Sequence, residues 1–187
     1  KTDSKGEYLK PLPDKRLKDR GSYNLKLEKH GYLTKTVTYN CAFYEEGQYA
    51  VHKEMDLSLD KIELGNDLSA IIDIQPIYFD LGKSTIRKDA ATELDKIVNI
   101  MNENPNMVVE LGSHTDARGS ATSNMKLSDK RAKASANYIK ERITNPDRIS
   151  GKGFGEDKLV NECGDGVECS EEQHQKNRRT EFIIIKM

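Results

Sequence analysis

The 187 residues carry 30 lysines and arginines against 31 aspartates and glutamates, and 35% are hydrophobic. Charge this evenly balanced gives no basic face for sequence-independent nucleic-acid binding, and it leaves room for a local charged pocket. No apolar run approaches the ~20 residues of a membrane-spanning helix. No secretory signal is visible; the chain opens on Lys1 without an initiator Met, so a piece of a longer protein is expected and the compartment stays open.

Residues 1–60 read as a β-rich segment. Tyr23–Lys29 and Thr34–Tyr39 alternate apolar and polar residues, and His30-Gly31-Tyr32 marks the turn between them. A polar turn leading into a strand is expected over Thr2–Tyr8, and Asp56–Asp60 alternates again. Thr2-Asp3, Gly6-Glu7-Tyr8, Tyr23-Asn24-Leu25 and Lys29-His30-Gly31-Tyr32 resemble the C-terminal half of a carboxypeptidase-regulatory-like domain, a small β-sandwich. A generic β-sandwich edge fits the same residues. Residues 61–71 read as a connector.

A second domain is expected over 72–187. Ile72–Asp80 reads as a strand with Pro76 near its start or at an edge. Leu81–Thr85 is a turn, where Ser84 or Thr85 can cap the next helix. That helix shows Ala90, Leu94, Ile97, Val98 and Met101 at helical spacing and stops before Pro105. Met107–Leu111 forms the next strand. A second helix runs to about Arg142, with Leu127, Ala134, Tyr138 and Ile139 as its buried stripe, and Arg148–Glu156 and Glu181–Met187 are further strands. The order β-α-β-α-β-β makes an α+β, two-layer sandwich with helices on one face of a mixed sheet.

Between the second strand and the second helix lies Gly112-Ser-His-Thr-Asp-Ala-Arg-Gly-Ser, a polar turn at a helix start, where free backbone N–H groups converge. The stretch carries the carboxylate of Asp116, and the helix beyond it carries the guanidinium of Arg131. One anion and one planar cation suit a ligand bearing both an ammonium and a carboxylate. The plain alternative is structural: Asp116 bonds its own turn, and Arg131 pairs with Asp116 or Asp129. Ser113, His114 and Asp116 are triad residue types crowded onto one turn, which is not how a working triad is assembled; no enzyme is expected.

Cys163 and Cys169 lie close together in a Gly/Asp/Glu-rich loop, and Cys41 stands apart. The close pair reads as a local disulfide in an oxidising compartment, with two reduced thiols as the alternative. A zinc set of Cys163, Cys169, His174 and His114 matches no common zinc spacing, so no metal and no cofactor is expected.

Ile77-Tyr-Phe-Asp80, Leu94, Gly112-Ser-His-Thr-Asp116, Gly119-Ser120, Asn124, Leu127-Ser128, Arg131-Ala132, Gly153-Phe-Gly-Glu156 and Asn177-Arg-Arg-Thr-Glu-Phe182 resemble the OmpA-like peptidoglycan-binding domain, in that family's order. The cysteine loop is longer and more acidic than in many members. The resemblance implies non-catalytic binding of the peptidoglycan stem peptide through its diaminopimelate. Asp116 would take the ammonium and Arg131 a carboxylate, Thr115, Asn124, Leu127 and Arg178 would line the pocket, and Asp80 would reach the same cleft. Of Arg178 and Arg179, one is expected at the pocket and the other at a solvated strand end. The resemblance also implies a periplasmic location associated with the outer membrane and a role in anchoring a larger envelope protein. Other envelope proteins would then be partners, including those of a secretion machine such as the type IX system. A protein-interaction scaffold is the competing reading, and a cell-wall hydrolase is the weaker one.

Overall fold

The computed structural model describes residues 2–3, 7–80 and 82–187. The turn expected over 2–8 includes Ser4, Lys5 and Gly6, and the turn expected at 81–85 includes Leu81; these four lie outside the described residues. Two compact units emerge. The first comprises the stretch ending at Leu27 together with Lys35–Leu59, and the second comprises Glu28–Thr34 and Asp60–Met187.

The first unit is built on an antiparallel pair, β1 (Arg20–Leu27) and β2 (Lys35–Ala42), in register Tyr23↔Tyr39 and Leu25↔Val37. The alternation read from the sequence reappears as alternating burial along β1. Tyr39 and Phe43 are buried. The Tyr39 hydroxyl donates to Glu54 Oε2 at 3.0 Å, and burial, then Glu54, pushes its pKa up to about 12. Asp56–Asp60 forms no strand. It is organised locally instead, with Asp56 Oδ1 accepting from the backbone of Ser58.

The second unit contains α1 (Leu68–Ile71), α2 (Lys88–Glu103), β3 (Val108–His114), α3 (Ala121–Lys140), β4 (Ile149–Gly155), α4 (Glu171–Asn177) and β5 (Thr180–Lys186). The sheet order is β4-β3-β5, with β3 parallel to β4 and antiparallel to β5, so the sheet is mixed as expected. Ala90, Leu94, Ile97, Val98 and Met101 of α2 are buried, as the helical spacing predicts. They meet Val109, Leu111, Ile139, Ile149, Phe182 and Ile184 in one core, joined by Ile62 and Leu68 from the stretch read as a connector.

Four expectations about the elements of the second unit need correction. Ile72–Asp80 is not a strand. Ile77 is still buried and Tyr78 exposed, so the alternation survives without a ladder. Pro76 has no N–H to give a ladder. Side chains take up neighbouring backbone groups instead: Gln75 N donates to Glu93 Oε2 at 2.9 Å, and the Asp80 carbonyl accepts from Arg131. Secondly, α2 begins after Arg87 with no side-chain cap, rather than at Ser84 or Thr85. Thirdly, α4 stands where only a loop was expected, started by a capping box between Ser170 and Gln173.

Lastly, the buried face of α3 is Asn124, Ser128, Ala132, Ser135, Ala136 and Ile139. Leu127, Ala134 and Tyr138 of the predicted stripe are only partly covered. The cause is close packing on β4. A Cβ on Gly153 would lie 2.2 Å from the backbone N of Asp129, and one on Gly151 would lie 2.4 Å from the Ala132 carbonyl oxygen. Backbones this close admit only small side chains between them. The larger Leu127 and Arg131 are thereby left to the neighbouring cleft.

Candidate functional site

β3 runs out at His114 into the turn Thr115–Gly119, and Ser120 then caps α3 by accepting from Ser123 N. Asn124 stitches this turn together. Its Nδ2 donates to the carbonyls of Asp116 and Arg118, both at 3.2 Å, and to Glu156 Oε2 at 2.5 Å. Asn124 therefore shapes the cleft wall, and its Nδ2 donors are committed to that task.

The turn, α3, residues 77–79, Gly82 and α4 with the chain just after it line an open cavity of about 550 Å³. Asp116, Arg131, Thr115, Asn124, Leu127 and Arg178 all line it. Of the residues expected at the site, Asp80 is the one not brought in. Its carboxylate lies outside, 3.4 Å from Lys83 Nζ and 3.5 Å from Arg87 Nη1, and only its carbonyl turns inward to Arg131.

Asp116 and Arg131 face the same cavity without bonding each other. Arg131 lies with its Cζ 5.0 Å from the centre of the Phe79 ring. Its Nε donates to the Lys83 carbonyl at 3.0 Å and its Nη2 to the Asp80 carbonyl at 3.3 Å. Burial, then the neighbouring charge of Arg178, lowers its pKa, while Asp116 opposes them. Asp116 is only 6% exposed. Burial alone would raise its carboxyl, but hydrogen bonds from Arg118 and Arg178 outweigh that and hold it below the ordinary carboxylate range.

Arg118, Glu171 and Gln175 were not among the residues picked from sequence. Arg118 Nη2 donates to Asp116 Oδ2 at 2.8 Å and its Nη1 to Glu171 Oε2 at 2.8 Å. Arg178 Nη1 reaches the same Asp116 oxygen at 2.5 Å, and its other nitrogens bond Glu171 and Gln175. The available signal was Ser170-x-x-Gln173, which marks a helix start and would put Glu171, Gln175 and Arg178 on successive turns. Arg179 reaches the cavity edge, but Glu181 and the Lys158 carbonyl hold its guanidinium.

His114 is a packed side chain. It stacks on Phe154 with ring centres 5.0 Å apart. Its Nε2 is 3.3 Å from Glu181 Oε2, but the geometry is not that of a hydrogen bond, and both ring nitrogens are buried without a partner among the described residues. The Thr115 hydroxyl, on the cavity wall, is likewise buried without a partner. Cys163 and Cys169 form a disulfide with Cα atoms 5.9 Å apart, which removes both sulfurs from any zinc set.

The model of the OmpA family matches residues 78–173, just over half the chain, a span that includes Asp116 and Arg131 but ends before Arg178. The chain belongs to the OmpA family. The match does not reach residues 1–60, whose likeness to a carboxypeptidase-regulatory-like domain rests on their motifs alone. A peptidoglycan-associated lipoprotein of Rhizobium meliloti is 30% identical over 108 residues, which are 58% of this chain and 58% of that protein. The Photosystem I P700 chlorophyll a apoprotein A2 of Gloeobacter violaceus is 34% identical over 110 residues, 58% of this chain but 12% of that protein. This OmpA-family chain thus spans only part of either relative. The crystal structure of the peptidoglycan-associated lipoprotein from Burkholderia pseudomallei has the same fold, with a TM-score of 0.50 and 20% identity over 59% of this chain and 90% of that one.

Proposed function

We propose that the OmpA-family half binds peptidoglycan non-covalently through the diaminopimelate of a stem peptide, and that it anchors a larger envelope protein to the cell wall. One observation carries this. An anion from the turn after β3 and a cation from α3 line one open cavity and are not spent on each other. Diaminopimelate in a stem presents a free ammonium and a carboxylate on one carbon, the charge pattern complementary to Asp116 and Arg131. The cavity falls within the ~300–1,000 Å³ range of ligand clefts. The peptidoglycan-associated lipoprotein relative supports the choice of polymer, and the envelope location of the relatives supports a periplasmic site near the outer membrane. An anchoring subunit of a secretion machine, of the type IX kind, is the architecture we favour for the whole protein.

The function is binding without catalysis. No hydrogen bond joins His114 to Ser113 or Asp116, and the His114 ring is packed between Phe154 and Glu181. Sedimentation with purified sacculi tests the reading. The wild type should co-sediment, Asp116→Ala and Arg131→Ala should stay in solution, free diaminopimelate should compete, and a stem peptide with lysine in place of diaminopimelate, which has no carboxylate beside its side-chain ammonium, should compete poorly. Undiminished sedimentation of both variants, or release of soluble wall fragments, would overturn it.

A further inference from the structure

Both oxygens of Asp116 are already engaged from inside the protein. Oδ1 accepts from the Arg118 backbone N at 3.2 Å. Oδ2 accepts from Arg118 Nε at 3.2 Å, Arg118 Nη2 at 2.8 Å and Arg178 Nη1 at 2.5 Å. On the stem-peptide reading, the ligand's ammonium needs an oxygen of this same carboxylate. Oδ2 already holds three donors, so an ammonium that binds there replaces one of them.

The two arginines are unequally held. The Arg178 side chain is 24% exposed, at the end of α4, and Glu171 and Gln175 both fix its guanidinium. The Arg118 side chain is 53% exposed and springs from the turn itself. Arg118 also lines a second cavity, of about 580 Å³, walled by the disulfide-closed loop Gly164–Cys169 together with Glu171. It therefore has space behind it and a second carboxylate already in hand, because its Nη1 bond to Glu171 does not depend on Asp116.

We propose that Arg118 is an internal competitor for the ammonium position, and that a ligand's free ammonium displaces it from Asp116 toward the second cavity. This rests on the stem-peptide reading and makes Arg118 the residue that sets selectivity for a free amine. In the empty site its guanidinium spares a nearly buried carboxylate the cost of lying under-paired. In the loaded site the exchange is one cation for another, so the ammonium contributes only the difference between the two. A stem whose diaminopimelate nitrogen is tied up in an amide, as at a cross-link, has no cation to offer. It must bind at Arg131 with Arg118 still in place.

Calorimetry with two synthetic stem tripeptides tests this: one with the diaminopimelate amine free, one with that amine acetylated. Arg118→Ala should bind the free-amine peptide roughly threefold to fivefold tighter than the wild type, as expected for removing an exposed ion pair. The acetylated peptide should bind both proteins equally, and Arg118→Lys should fall between them. Weaker binding of the free-amine peptide by Arg118→Ala would mean that Arg118 touches the ligand directly. That outcome, an unchanged affinity, or an equal change for both peptides would each overturn the proposal while leaving the stem-peptide reading intact. A wild type that binds neither peptide would overturn both. A melting temperature matching the wild type establishes that the alanine variant is folded; should it differ, the lysine variant decides.

Discussion

The two charged ends of the cavity are prepared differently. At the Arg131 end the guanidinium is fixed by a ring and two carbonyls, none of which is an anion. Its Nη1 has no hydrogen-bond partner among the described residues. At the Asp116 end the anion is already matched by two guanidinium groups. On the stem-peptide proposal, a carboxylate arriving at Arg131 meets a cation in position, whereas an ammonium arriving at Asp116 Oδ2 replaces one. On that proposal most of the affinity belongs to the first end and most of the selectivity to the second.

Arg131→Ala should therefore have the largest effect. A charge-assisted hydrogen bond contributes about 1.5–3 kcal/mol, so stem-peptide affinity should fall roughly tenfold to a hundredfold by calorimetry. Arg131→Lys keeps the charge but lacks the planar fork that spans the Asp80 and Lys83 carbonyls, and it should recover only part of the loss. Asp116→Asn should cost less, about tenfold, and only for the peptide with a free amine. Equal losses in the two variants, or a loss with the acetylated peptide in Asp116→Asn, would erase the contrast between the ends.

Sequence showed the anion and the cation but not how each is occupied, and the reason is range. The strand leading to His114, the stripe of α2 and the polar turn are local patterns, and local patterns survive folding. Asp80 was misread because its role depends on whether 72–80 joins the sheet, a long-range question that alternation cannot answer. For Leu127, helical spacing points to the core and the resemblance to the pocket; it lines the cavity, because the glycines of β4 draw α3 in until only small residues fit beneath it. Arg118 and Glu171 escaped because α4 is short and polar and only its capping box betrays it. Of the groups that neutralise Asp116, the resemblance brings Arg178 to the pocket, while Arg118 and its anchor Glu171 come only from the folded chain.

The disulfide allows the Asp116 end to be disturbed alone. It closes the loop just ahead of α4, which carries Glu171 and Gln175. In the chain-entropy account a loop this short contributes about 2 kcal/mol. Replacing both cysteines by alanine should lower stability by that order in denaturant titrations. It should also change affinity for the free-amine peptide roughly twofold to threefold, because Glu171 would anchor Arg118 and Arg178 less firmly. The acetylated peptide, bound at the Arg131 end, should bind as before. A change with both peptides would mean that the loop supports the cavity as a whole.

The smallest effect, and the sharpest separation of stability from binding, is expected from pH. Burial foremost, with the charge of Arg179, holds the His114 pKa below its ordinary 6.5, against the opposing pull of Glu181. The Asp116 pKa is lowered too. In both cases the unfolded chain takes up its proton first as pH falls, so stability rises with pH and is lost in acid. For His114 the loss begins below about 6.5 and ends once pH passes below the folded value; for Asp116 it begins near the unfolded value of about 3.9 and grows as pH falls through the folded one. Denaturant titrations should show a plateau above about pH 7, a shallow first decline and a separate second one. His114→Phe keeps the stack on Phe154 and carries no proton, so it should abolish the first decline alone. Stem-peptide affinity should stay level from about pH 5 to 8, because Asp116 remains ionised throughout and Arg131 remains charged. An affinity that follows the first decline would show that His114 reaches the ligand through β3, and the anionic end of the cavity would then extend beyond Asp116 and its two arginines.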